Sequence, residues 1–215
     1  MKVLLTGLLV LIFATPALAA PMTTLEYSQW FIQPHAFQAI ELRQQSSPTR
    51  GWRLWGARGQ DDCDWGACYD NTFWGFDLTH RVRGMHHAYL GYYNMARQVD
   101  YEENGDTRMS HSGFRVGLTG KFRLTQKLGA IYDVAYMPFD QFRISTGEGP
   151  NGTPPGQGVG GMYRVGLRYT LSPSFYVEGG QWSFGFTLPG GPHGPWGVFQ
   201  DHIWTGQYLS VGFTR

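Results

Sequence analysis

Apolar and polar positions alternate with period two over long stretches of this chain. From His111 to Leu124, Phe114, Val116, Leu118, Phe122 and Leu124 occupy even positions, and Arg115, Lys121 and Arg123 stand between them. The same pattern sets Tyr163, Val165, Leu167, Tyr169 and Leu171 against Met162, Arg164, Gly166 and Arg168. It also sets Trp74, Phe76, Leu78 and Val82 against Gly75, Asp77, Thr79 and Arg81. Successive side chains of a strand point to opposite faces. Segments of roughly ten residues, apolar on one face and polar or glycine on the other, suit a transmembrane β-barrel, whose outside meets lipid and whose inside does not.

Extending the alternation along the chain predicts strands near 51–59, 72–82, 86–98, 109–124, 128–139, 162–171, 175–186 and 203–214. Short turns at Arg83-Gly84, Thr125-Gln126-Lys127 and Ser172-Pro173-Ser174 alternate with longer connections. The longer ones are the segment around Cys63, the one around Asn104-Gly105, and the Gly/Pro-rich stretches 145–161 and 188–200. Outer-membrane barrels place short turns on the periplasmic side and long loops outside. The expected fold is therefore all-β: a closed antiparallel up-and-down transmembrane barrel of eight strands with both termini in the periplasm.

Two stretches fit less simply. Past Phe175 and Val177, strict alternation would turn Trp182, Phe184 and Phe186 inward. A bulge at Gly179-Gly180 is expected to return them to lipid and leave Glu178 inside. Residues 20–50 read as a periplasmic or interfacial segment in which Leu25, Trp30, Phe31 and Ile32, followed by Pro34, form a short amphipathic element. The alternative makes Phe37 to Arg43 a ninth strand and, by parity, residues 24–32 a tenth.

The N-terminus sets the compartment. Lys2, the apolar run Val3 to Phe13 and the small residues Ala17-Leu18-Ala19 form a signal peptide, with cleavage expected after Ala19. The expected organisation is 1–19 signal peptide, 20–50 N-terminal segment and 51–215 barrel. Aromatic residues (16%) match charged ones (15%), and there are 30 glycines, a mixture suited to interfacial girdles and closely packed walls. A formal net charge of +1 gives no electrostatic case for nucleic acid. Cys63 and Cys68 are the two cysteines, and in an exported chain they are expected to form a local disulfide. So small a loop would gain only about 2 kcal/mol from it.

Candidate chemistry depends on the residues that face inward. Asp77, Arg115, Lys121, Asp133, Arg164, Arg168 and Glu178 are expected to fill the lumen as a charge network, with Arg81 and Arg123 on the same face. Charges in a narrow lumen must pair or stay hydrated, because an isolated one costs several kcal/mol in the low dielectric of a protein interior. Ser110 and His111, at a strand end, are the catalytic candidates, although no ordered triad motif accompanies them. His80, His86 and His87 match no closed zinc spacing, and Asp61, Asp62, Asp64 and Asp70 lack calcium-loop spacing. No metal or cofactor is expected.

With its dyad alternation, its alternating short and long connections, its mixed charges inside, and Leu209, Val211 and Phe213 in the last strand, the chain resembles the small eight-stranded outer-membrane barrels of the OmpA/OmpX-like kind. The resemblance covers residues 51 to 215 and implies a Gram-negative outer-membrane location. It implies lipid, lipopolysaccharide and the outer-membrane assembly machinery as partners, and a structural or surface-interaction role through extracellular loops that could meet a ligand. The alternatives are a lipid A-modifying enzyme, acyltransferase or deacylase, and a narrow pore. The leading amphipathic segment looks like that of the lipid A palmitoyltransferase barrels, but their Asp-Ser pair is absent, as is the His-x-Ser arrangement of the deacylases.

Overall fold

A computed structural model describes residues 22–32, 35–60, 67–101, 105–146, 156–187 and 201–215. The expected signal peptide lies outside them, and so does the expected disulfide, since Cys63 and the Cys68 side chain are not described. Ten antiparallel strands run in sequence order: β1 (Thr23–Ile32), β2 (His35–Gln45), β3 (Arg50–Gln60), β4 (Ala67–Arg83), β5 (His86–Tyr101), β6 (Gly105–Arg123), β7 (Leu128–Thr146), β8 (Gly156–Thr170), β9 (Phe175–Thr187) and β10 (Asp201–Thr214). Each pairs with its neighbour, and β1 pairs with β10 to close the barrel. At the seam the chain ends clasp each other: Thr23 N donates to Arg215 O at 3.0 Å and Arg215 N to Thr23 O at 2.9 Å. No helix occurs among the described residues.

The expectation of eight strands is thus corrected to ten. Residues 20–50 are not an interfacial amphipathic element: they supply β1 and β2, and the barrel begins at Thr23. Their alternation is real but disguised. Leu25, Tyr27 and Phe31 face out while Glu26, Ser28 and Trp30 face in, and an inward tryptophan beside an outward phenylalanine looks like an apolar run rather than a strand.

Connections 46–49, 84–85, 124–127 and 171–174 lie with the two chain ends Thr23 and Arg215 at one end, here the turn end; the opposite strand ends, such as Ile32, Gln60, Tyr101, Thr146 and Thr187, mark the other, the loop end. Gly84 takes φ 56° in the tightest of the turns, a conformation that L side chains avoid. β4 to β8 are longer than expected and extend toward the loop end.

The solvent logic of the wall is inverted relative to a water-soluble protein. Glu26, Arg53, Asp77, Arg115 and Glu178 are buried inside, whereas Leu78, Leu90, Leu118, Leu167 and Leu209 stand more than half exposed outside. A belt of large apolar side chains around a charged interior suits hydrocarbon outside and protein inside. It also sorts β5, where Leu90 and Tyr92 face out and Tyr89 and Tyr93 face in. Leu167→Arg should therefore destabilise the barrel in bilayers by about 2–4 kcal/mol. Urea titration of folded protein in lipid vesicles measures this, and an unchanged midpoint would mean that the belt does not meet lipid.

Two details of register set up the interior. β9 shows no bulge: its pairing to β10 runs unbroken from Phe175↔Phe213 to Thr187↔Asp201, and its pairing to β8 is equally regular. The expected bulge at Gly179-Gly180 is therefore corrected, and Trp182, Phe184 and Phe186 face inward together with Glu178. The irregularity lies instead in β7, where register shifts occur against β6 and again against β8 around Pro138. Proline cannot donate to the ladder, and an extra residue there reverses the facing of the rest of the strand. Met137 and Asp140 consequently both point inward.

Interior glycines make room for the large side chains opposite. A Cβ on Gly75 would come within 2.6 Å of the Trp55 indole, and one on Gly212 would strike the Tyr176 ring.

Candidate functional site

The lumen is filled in two tiers. The tier nearer the turn end is ionic. Asp77 on β4 accepts from Arg53 on β3 at 2.6 Å and from both Nε and Nη2 of Arg115 on β6, at 2.8 and 2.5 Å. Arg53 also pairs with Asp133 on β7, which accepts from the Tyr89 hydroxyl at 2.6 Å. Across the lumen, Arg164 on β8 binds Glu26 on β1 and Glu178 on β9, and Arg168 reaches Glu178 at 2.7 Å. Tyr176 and Tyr208 donate to Glu26 and Glu178 at 2.7 and 2.9 Å, and Glu41 pairs with Arg43. Five arginines face five carboxylates in this tier.

Several of these cations also lie over aromatic rings: Arg115 over Trp55 at 4.5 Å, Arg164 over Tyr208 at 4.6 Å and Arg168 over Tyr176 at 3.8 Å. Ion pairing and stacking together compensate desolvation that neither would offset alone.

The second tier, nearer the loop end, is aromatic. Trp30 stacks on Trp182 at 4.5 Å, and Phe73 packs among Phe37, Phe184 and Trp204. Phe186 joins Phe184 to the His111 ring, on which it stacks at 4.1 Å. Asp140 is fully buried here and accepts from the Tyr93 hydroxyl at 2.8 Å, with His111 Nδ1 at 2.6 Å from its other oxygen. Hydrophobic rings thus enclose one His-Asp-Tyr cluster.

Of the residues singled out from sequence, Asp77, Arg115, Asp133, Arg164, Arg168 and Glu178 all belong to the ionic tier. Lys121 also faces the lumen, but in a cavity at the turn end. Arg123 is exposed at the rim, where its Nε donates to Thr125 O at 3.2 Å. The structure does not bring Ser110 and His111 together, because adjacent strand residues face opposite sides and only His111 is in the lumen.

Among the histidines of the turn end, His86 Nδ1 lies 2.9 Å from the Tyr132 hydroxyl. No group of three or more metal-ligating side chains forms among the described residues. Asp70 pairs with Arg58 at 2.6 Å, while Asp61, Asp62 and Asp64 lie outside the described residues.

Reading the sequence missed Glu26, Glu41, Arg43 and Arg53, four of the ten charged residues of the ionic tier. A glutamate alternating with Leu25 and Tyr27 was the available signal. It also missed Asp140, for which Pro138 inside an otherwise regular strand was the clue.

No family model matches the chain, and no curated protein matches it. Solved structures that resemble it are outer-membrane barrels. The translocator domain of the autotransporter NalP from Neisseria meningitidis is 10% identical, with 90% of this chain and 86% of that one covered and a TM-score of 0.43. The outer membrane protease OmpT from Escherichia coli is 11% identical, with 91% and 94% covered and a TM-score of 0.45. A major outer membrane protein from Thermus thermophilus is 12% identical, with 91% and 100% covered and a TM-score of 0.41. At these identities and scores none of them bears on function, which rests on the lumen itself.

Proposed function

We propose that the protein is a bacterial outer-membrane barrel, closed to general diffusion, with its termini in the periplasm, acting as a structural or surface-interaction scaffold through its loop-end connections. The observation that carries this reading is the doubly filled lumen. A pore needs a continuous aqueous path, and here an ionic tier and an aromatic tier occupy the cross-section in series. Large aqueous channels belong to barrels of about 16 strands; near eight, side chains fill the interior, and ten strands lie close to that limit. A lipid-facing apolar belt and a predicted signal peptide support the outer membrane, where closed barrels are the strand-built way to span a bilayer. The expected Cys63–Cys68 disulfide would pin one of the loop-end connections.

The narrow-pore reading has the opposite signature. In planar bilayers the unmodified protein is expected to show no steady conductance; a stable open channel would overturn the scaffold reading. The lipid A-modifying reading draws less support, since its candidates Ser110 and His111 face opposite sides of β6 and His111 is 3% exposed. Mass analysis of lipid A from cells with and without the protein should show the same acyl composition. A change abolished by His111→Ala would replace the scaffold by an enzyme.

A further inference from the structure

The ionic tier is balanced, but the mouth below it is not. A cavity of about 250 Å³ opens at the turn end, with Arg53, Asp133, Arg164, Arg168 and Glu178 of the tier at its inner side. Its outer wall adds Arg81 on β4 and Lys121 on β6, and among the described residues neither has a carboxylate partner. Arg50 stands at the rim, likewise without an ion-pair partner among the described residues. His87, directly opposite Arg81 in the ladder, and the hydroxyl-bearing Thr79 and Thr119 complete this side.

Three orphaned donors accompany the surplus charge. Arg53 is 2% exposed, yet its Nη2 is buried without a hydrogen-bond partner, and the Nε atoms of Arg81 and Arg164 are buried and unpartnered too. Guanidinium groups have donors only, so an unsatisfied buried nitrogen calls for an acceptor.

We propose that this cavity binds a small phosphate-bearing anion, with Arg81 and Lys121 as its principal cationic contacts. Two cations without carboxylate partners match the roughly two negative charges of a phosphate monoester near neutrality. The cavity lies below the roughly 300 Å³ at which drug-sized pockets begin, which selects a compact ligand. Met22, Met85 and Ile131 line the remainder and suit a short apolar or sugar-like portion. Because the two filled tiers lie beyond it, the site is a blind vestibule open only to the turn end. The phosphate can belong to a soluble anion or to a lipid headgroup at the same membrane surface.

The test is titration of pyrophosphate into full-length folded protein in nanodiscs, read by calorimetry. Saturable binding that weakens with added salt is expected. Lys121→Gln and Arg81→Gln should each weaken it tenfold or more, while Arg123→Gln at the exposed rim should leave it unchanged. Heat-modifiable gel mobility shows whether each variant is folded, and the two variants guard against loss of either one. Nanodiscs of phosphatidylcholine alone, compared with nanodiscs that also contain phosphatidic acid, separate the sources. Equal affinity in both assigns the site to soluble anions, and weaker pyrophosphate binding in the second assigns it to headgroups. No saturable binding in either membrane, or binding that both variants retain, would overturn the proposal. Equilibrium binding reads independently of whether the lumen conducts.

Discussion

Replacing Asp77 by alanine should destabilise the barrel by about 3–5 kcal/mol, because it removes one partner of a buried ion pair and leaves charge uncompensated. Asp77 is 0% exposed and holds two guanidinium groups, those of Arg53 and Arg115. Arg53 would keep Asp133, but Arg115, itself 1% exposed, would keep no carboxylate among the described residues. The joint change Asp77→Leu with Arg115→Met should recover much of the loss, since an apolar replacement of both partners removes the desolvation cost together with the attraction. Equilibrium unfolding in urea from lipid vesicles measures both variants. A single-variant loss below about 1 kcal/mol would show that water reaches the tier and screens it, as at exposed ion pairs.

Phe184→Ala should act on the other tier, at a cost of about 3–5 kcal/mol for a large ring deleted from a packed interior. Phe184 is 0% exposed and lies between Phe186 at 5.0 Å and Trp182 at 6.0 Å, with Phe73 and Tyr93 just beyond. Its removal should also admit water from the loop end down to the ionic tier. Brief conductance events are expected in planar bilayers where the parent protein is silent, whereas Phe184→Leu should stay closed. If Phe184→Ala unfolds at the parent's urea concentration and remains silent, the aromatic tier is not what seals the lumen.

The two tiers also explain which parts of the fold the sequence revealed. Alternation is visible where the two faces meet different chemistry. Phe114 to Leu124 and Tyr163 to Leu171 lie largely against the ionic tier and the turn-end cavity, so their inward residues are arginine, lysine and glycine and the period stands out. Along the aromatic tier both faces can be apolar. Trp30 beside Phe31 in β1 and Phe37 in β2 hid two strands, and Trp182, Phe184 and Phe186 suggested a bulge that β9 does not have. The outward partners there are small and polar: Ser183 and Thr205 bond to each other at 2.8 Å, so the expected contrast is reversed.

The candidate site was legible to the same extent. Charged residues on clearly alternating strands could be placed inside. Glu26, Glu41, Arg43 and Arg53 depended on recognising β1 and β2 and on where β3 faces, and Asp140 depended on a parity change at one proline.

The seam has a consequence for how the molecule is made. Glu26 on β1 meets Arg164 on β8 and Tyr176 on β9, and Ser28 bonds Ser210 at 2.8 Å across the β1–β10 junction. These contacts join residues more than 130 positions apart, so none can form before β8 or a later strand has been delivered. Drawing such distant segments together costs loop entropy before any contact repays it. Until β8 arrives, the Glu26 carboxylate lacks the Arg164 and Arg168 guanidinium groups that pair with it in the finished barrel. Wall closure and charge neutralisation are then a single event, and a nascent sheet lacking its last strands carries a built-in reason to stay in contact with water or a chaperone rather than enter the bilayer early.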